Sequence, residues 1–177
     1  FNPARVAGYR LIGYENRLLA REDFDDDTKD AGELGAGHRV TALYEIVPAG
    51  QPLPVGVKNG EMRYQQTQAT SAAKTDELLQ LKLRYKAPKI GAASQLIQTV
   101  VADRPTSQPS LNFQLAAAAA EFGLLLRNSS YKGKATYDQC LALAKKSAAT
   151  DPGGYRKELV QLIEQARLLA APETAGK

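Results

Sequence analysis

Five aspartates fall within Asp23-Phe24-Asp25-Asp26-Asp27-Thr28-Lys29-Asp30, the densest grouping of hard oxygen ligands in the sequence. Asp23, Asp25 and Asp27 alternate as the first three ligands of an EF-hand loop do, which is chemistry suited to calcium. The pattern then breaks. Thr28 stands where such a loop needs glycine, and Leu34 holds the twelfth position while Glu33 comes one residue early. Strands rather than helices are predicted on either side. The segment reads as a solvated or self-capping loop, with weak calcium binding as the alternative, and no metal ligand is assigned.

Other reactive side chains are sparse. Gly32, Gly35 and Gly37 are spaced in the reverse order of a dinucleotide-binding fingerprint and precede a strand, so turn geometry explains them better than phosphate binding. His38 is the single histidine and cannot anchor a usual metal site alone. Cys140 is the single cysteine, which excludes an internal disulfide. It lies beside Leu141 on a predicted helix whose Tyr137, Leu141 and Ala144 face the core, so a buried structural thiol is expected. A dyad of His38 with Cys140, or an enzyme using His38 with the loop carboxylates, is formally open. No catalytic, cofactor-binding or metal-binding residue is assigned, and no cofactor is expected.

The elements that would position these groups follow from composition and periodicity. A chain of 177 residues with 44% hydrophobic side chains is long enough and apolar enough to bury a core. A net charge of +4 without a basic run or a basic stripe carrying aromatics argues against nucleic-acid binding. The apolar run Leu115–Ala120 is broken by Glu121 and is too short to cross a bilayer, so no membrane insertion is expected. The chain opens on Phe1-Asn2-Pro3, which reads as a piece of a longer polypeptide.

Strands are predicted over Val6–Tyr14 and Val40–Val47, the first interrupted by Gly8 and Gly13, where a bulge or a close backbone approach is expected. Val40–Val47 is apolar on both faces, which suits a central strand ended by Pro48. A short strand over Glu61–Gln65 with a turn at Asn59-Gly60 is possible by pattern. The strongest signal is the alternation of Leu79, Leu81, Leu83 and Tyr85 with Gln80, Lys82, Arg84 and Lys86, a strand with one packed and one wet face. Gln95–Val101 is a further strand. After Pro105 the period changes to that of a helix. Asn112–Arg127 is apolar on nearly every side and is expected to be buried on every side, with Gly123 permitting close approach. Asn128-Ser129-Ser130, an N-glycosylation pattern, is read as the turn that follows. Thr136 and Gln139 match a capping box that opens a second helix. Asp151-Pro152 is read as the cap and first residue of a third, with Tyr155, Leu159, Leu162, Ala166 and Leu169 as its apolar stripe. Pro172 is expected to end it, leaving a loose tail. The helical pair also has the flavour of a tetratricopeptide hairpin, which would make it a peptide-binding groove.

The resulting expectation is an α+β fold: an antiparallel β-sandwich or sheet of about five strands, followed by three helices packed on it. Residues 1–104 form the β-rich part and 105–172 the helical part of one cooperative domain.

Several long strings also carry a resemblance: Gly8–Leu19 (GYRLIGYENRLL), Asp23–His38 (DFDDDTKDAGELGAGH), Val40–Pro48 (VTALYEIVP), Leu81–Lys86 (LKLRYK) and Ala116–Gly133 (AAAAAEFGLLLRNSSYKG). Together they resemble the C-terminal domain, of no assigned activity, found in bacterial proteins built around a von Willebrand factor type A domain. The resemblance implies a non-catalytic interaction or scaffolding module in the periplasm or cell envelope. Its implied partners are the adjacent type A domain and a further protein. The Asp-x-Ser-x-Ser metal motif of type A domains is absent from these residues, so no adhesion-site ligand is carried over.

Overall fold

A computed structural model describes residues 1–14, 19–20, 22–29, 32–54, 68–89 and 92–170. The chain divides into two compact units, Phe1–Pro105 and Thr106–Lys177, beside the point where the sequence period changes. The first is β-rich and the second helical. The suggested strand Glu61–Gln65, its turn at Asn59-Gly60 and the tail from Pro172 lie outside the described residues.

The β-rich unit is antiparallel, as expected, but the sandwich or sheet of about five strands is not seen among the described residues. Among the described residues it holds two separate two-stranded antiparallel sheets. Strand β1 (Val6–Ile12) pairs with β2 (Leu43–Pro48), and β3 (Glu77–Lys86) pairs with β4 (Ser94–Ala102). The segment Val40–Val47 is therefore not a central strand. Pairing starts at Leu43 and includes Pro48, which sits opposite Val6 at the end of the ladder, the place where a missing N–H is tolerated. The reading of Gly8 holds as a bulge, and its close neighbour is a side chain rather than another backbone. The register shifts between Val6 and Gly8, and a Cβ on Gly8 would lie 2.6 Å from Leu53 Cδ2, so the Leu53 side chain occupies the space that glycine leaves. Gly13 takes φ +75° just beyond β1, a conformation suited to a residue without Cβ.

Each sheet has a chemically distinct face. In β1–β2, Tyr9 faces Ile46 and Leu11 faces Tyr44, while the Phe1 ring lies 4.4 Å from Tyr9 and 5.6 Å from Tyr44. On the other face Arg10 opposes Glu45, and Arg10 Nε donates to Glu45 Oε2 at 2.5 Å. In β3–β4, Leu79 pairs with Val101, Leu81 with Thr99 and Leu83 with Ile97, so the predicted alternation does collect one apolar face. That face is not packed as expected, for Leu81, Leu83 and Tyr85 are 54%, 53% and 40% exposed. A two-stranded ribbon has no second layer of its own to cover such a row.

Asn2 joins these ribbons. It is buried, and its N–H donates to the Leu78 carbonyl at 2.8 Å. Its side-chain amide donates to the carbonyls of Ala73 (3.2 Å) and Glu77 (2.7 Å), and its Oδ1 accepts from the Ala4 N–H at 3.0 Å. Its own carbonyl accepts from Arg5 and Val6. Every polar atom of this buried residue is thus paired, and one amide binds the entry of β1 to the 3₁₀ turn Ser71–Lys74 and to β3.

In the helical unit, α1 spans Leu111–Leu126, α2 Tyr137–Ser147 and α3 Tyr155–Leu169. Ser110 caps α1 by accepting from the Phe113 N–H, and Thr136 caps α2 by accepting from the Gln139 N–H at 3.2 Å, as the capping signal predicts. Asn128 takes φ +47° after α1, and the Ser129 N–H returns to the Leu124 carbonyl, so Asn128-Ser129-Ser130 is the turn that ends the helix. The core is formed by Ala118 and Leu125 of α1, Cys140, Leu141 and Ala144 of α2, and Ile163 of α3.

Four local expectations are corrected here. Helix α1 is not buried all round, since Phe113 and Leu126 are 53% and 58% exposed. Its alanine run gives a high apolar content without needing a cover on every side. Gly123 permits no close approach, for a Cβ there would meet nothing within 4 Å. The packed face of α3 runs through Leu159, Val160 and Ile163, whereas Tyr155 and Leu169 of the expected stripe are exposed. Helix α3 also starts later than Pro152. Pro152-Gly153-Gly154 forms a turn with Gly154 left-handed at φ +76°, and Asp151 reaches over it to accept from the Lys157 N–H at 3.0 Å. The capping carboxylate was identified correctly but acts from farther upstream.

Ile163 has no solvent exposure and is the residue that α3 buries in the core shared with α1 and α2. Ile163→Ala is expected to cost about 2–5 kcal/mol, a large part of a typical stability of roughly 5–15 kcal/mol. Denaturant unfolding measures the loss. Hydrogen exchange on the same variant tests the expectation of one cooperative unit: β3 should lose protection along with the helices, and β3 amides that stay protected while the helices open would sink it.

Candidate functional site

The acidic loop owes its position to β3. A single 3₁₀ turn, Glu22–Asp25, brings the first carboxylates round, and the loop then runs against the basic face of the strand. Arg84 is the organising side chain. Its Nη1 donates to Asp25 Oδ1 at 3.1 Å and to the Phe24 carbonyl at 3.3 Å, and its Nη2 donates to Asp27 Oδ1 at 2.7 Å. Its Nε donates to Ser94 Oγ at 3.2 Å on the neighbouring strand. Lys86 Nζ donates to the Asp27 carbonyl at 2.9 Å. Lys29 pairs with Asp23 at 3.5 Å, and Asp26 accepts from both the N–H and the hydroxyl of Thr28, at 2.9 and 2.7 Å.

One carboxylate oxygen, Oδ1, of each described aspartate in the loop is engaged within the chain. Asp23, Asp25, Asp26 and Asp27 each have a partner in this chain, and Asp30 lies outside the described residues. Among the described residues, no group of three His, Cys, Asp or Glu is placed to hold a metal ion. The self-capping reading of the loop describes this geometry. The Ser94 hydroxyl is the main cause that holds the Asp27 carboxyl below the usual carboxylate range; desolvation opposes it, and Arg84 and Lys86 add to the lowering. The Thr28 hydroxyl and N–H lower Asp26 similarly.

His38 is exposed, and its N–H donates to the Gly35 carbonyl at 3.1 Å while its ring covers Gly35. Gly37 follows the same turn at φ +78°, so the three-glycine segment serves as turn geometry there. No described contact joins His38 to the aspartates. Cys140 is fully buried in the helical unit, with Sγ 3.3 Å from the Ala118 carbonyl. Burial, and secondarily the Glu121 charge, pushes its thiol up to about 12, where thiolate chemistry is suppressed. The structure thus brings the loop carboxylates together with Arg84, Lys86 and Ser94, and it gathers neither His38 nor Cys140 into that group.

The part that sequence reasoning missed is the basic side of the site. By alternation alone, Lys82, Arg84 and Lys86 are the wet face of a strand. Only pairing with a loop nearly sixty residues earlier in the chain makes Arg84 a structural cation, and no local signal carries that. No helix among the described residues is long and apolar enough to cross a membrane.

Comparison with known proteins places residues 1–169 against the family model described as the C-terminal part of the uncharacterized protein YfbK. The chain is 39% identical over 168 residues to the uncharacterized protein YfbK of Escherichia coli (strain K12). That match covers 94% of this chain but 28% of the relative, so the chain spans under a third of the relative's length. No solved structure matches it.

Two outcomes test the loop. Millimolar calcium is expected to leave the melting temperature essentially unchanged, because native-state binding would raise it. A clear rise that disappears in Asp25→Asn/Asp27→Asn would contradict the assignment of these carboxylates to Arg84. The second concerns acid. A carboxyl whose folded pKa is depressed contributes stability above its unfolded pKa and loses it as pH falls through the folded value. Asp27 should titrate below its ordinary 3.8 by NMR, and Ser94→Ala should return it toward that value. An Asp27 titration that Ser94→Ala leaves unmoved would refute the hydroxyl as the main cause.

Proposed function

The chain belongs to the family of the YfbK C-terminal domain, and on that premise we propose that it is a non-catalytic interaction or scaffolding module of a longer bacterial polypeptide. The observation that supports this most directly is the apolar face of β3–β4. Leu81, Leu83 and Tyr85 line up beside Ile97 and Val101, and all five are between 40% and 54% exposed. Large apolar side chains aligned on a rigid ladder and left half in water suit docking to another protein surface. Tyr9 and Tyr44, 60% and 49% exposed beside Phe1, offer a smaller aromatic patch of the same kind.

The partner we propose is a von Willebrand factor type A domain elsewhere in the same polypeptide, in the periplasm or cell envelope. The sequence resemblance motivates both choices, and the length of the curated relative leaves room for such a neighbour. Docking through the β3–β4 face needs no catalytic group from this chain.

The test is binding of the 177-residue chain to a separately produced type A domain of the longer polypeptide. Wild type is expected to bind, and Leu81→Lys/Leu83→Lys is expected to weaken binding roughly tenfold or more while keeping the native circular-dichroism spectrum, because two lysines would be desolvated in the contact. Absence of wild-type binding would overturn the choice of partner. Binding unaffected by the double substitution would overturn the choice of face.

A further inference from the structure

Strand β4 differs from the other three in what it lacks. Its nine residues, Ser94–Ala102, include no charged residue, proline or glycine. Exposed strand edges normally carry such guards, because unpaired N–H and C=O groups are a template for another strand. The other strands have them. β1 has Arg10 and the bulge at Gly8, β2 has Glu45 and Pro48, and β3 has Lys82, Arg84 and Lys86. The far edge of β3 is also partly occupied, since Leu78 accepts from Asn2. Among the described residues, β4 pairs with β3 alone, leaving its outer edge open. Leu96 and Val100 on one face and Ile97 and Val101 on the other are 49%, 48%, 49% and 41% exposed, so neither face is covered.

We propose that this edge pairs with the same edge of a second copy of the chain, antiparallel about a two-fold axis at Gln98, turning two ribbons into one four-stranded sheet. The strand is self-complementary in that register. Gln98 is its midpoint, so all nine residues find a partner. Leu96 then faces the partner's Val100, Ile97 faces the partner's Thr99, and Gln98 faces the partner's Gln98. Apolar and β-branched pairs of this kind stabilise antiparallel ladders, and no like charges meet. A two-fold contact of this type is closed, because each β4 edge is used once and no further β4 edge remains to grow a filament. A charged peptide would find no complementary charge on β4, which favours a second copy over an acidic or basic partner. One strand edge is small beside stable interfaces of roughly 1,200–2,000 Å², so the dimer is a concentration-dependent one. This contact uses the strand edge and does not depend on the docking face proposed above.

Sedimentation of the 177-residue chain across its soluble range is expected to show a reversible monomer–dimer equilibrium. Gln98→Lys and Gln98→Glu, at an exposed position, should each weaken the dimer roughly fivefold or more by setting like charges opposite one another. Mixing the two variants should restore association, an outcome that general loss of folding cannot produce. Gln98→Cys should form disulfide-linked dimers on mild oxidation, since directly opposed residues of an antiparallel pair lie within disulfide reach. Cys140, fully buried, does not contribute to that product. Three results would overturn the proposal: a monomer at every soluble concentration, a dimer indifferent to both charges, or cross-linking at Thr99→Cys in preference to Gln98→Cys.

Discussion

The β-rich unit depends on one buried amide. Two-stranded antiparallel ribbons are marginal alone, and nothing in the pairing of β1–β2 or β3–β4 requires the two to associate. Asn2 supplies the requirement. Its side chain spans carbonyls from the 3₁₀ turn and from β3, while its backbone accepts from the residues that launch β1. An amide suits the task because it donates twice and accepts once in the geometry found here. A carboxylate would lose both donations, and an aliphatic residue would leave the buried Ala73 carbonyl and the half-buried Glu77 carbonyl without this partner, at a cost of up to about 1–3 kcal/mol for the buried one. Arg5 extends the same seam, pairing with Asp103 and donating to the Thr75 carbonyl.

The legible parts of the fold were those whose causes are local. Alternation over Leu79–Tyr85 marked β3 and placed its apolar side chains on one face. Thr136 and Gln139 marked the start of α2, and Gly8 marked a bulge with a close neighbour. The α+β class followed from the change of period near Pro105. Errors arose where a pattern has two equally good local answers. The stripe of α3 was placed one face away from Ile163 because apolar residues at 159, 160, 162, 163, 168 and 169 permit either choice, and only contact with α1 and α2 selects one. Apolar content in α1 predicts burial on every side, whereas alanine asks little of its surroundings and Phe113 and Leu126 stay exposed.

The acidic loop shows a different limit. Five neighbouring aspartates look like a ligand set when the rest of the chain is unknown. In the fold Asp25 and Asp27 lie beside a strand whose alternate residues include three cations, and Arg84 satisfies both with its planar fork. A mixed set of ion pairs, a serine hydroxyl and a threonine hydroxyl forms the self-capping arrangement that the failed EF-hand pattern leaves as the main reading. These pairs are exposed, so each contributes little alone, and their role is to hold the loop in one place against β3.

The seclusion of Cys140 has a use outside the chemistry of the chain. A lone thiol with no exposure, at the contact of three helices, can meet a reagent only when those helices separate. Its rate of modification therefore follows the opening equilibrium of the helical unit wherever reclosing outpaces the reagent. Wild-type protein already contains a clock for that motion, with no label to be engineered. Because the sole sulfhydryl lies in the helical unit, the clock ticks for that unit and is blind to local fraying of the ribbons.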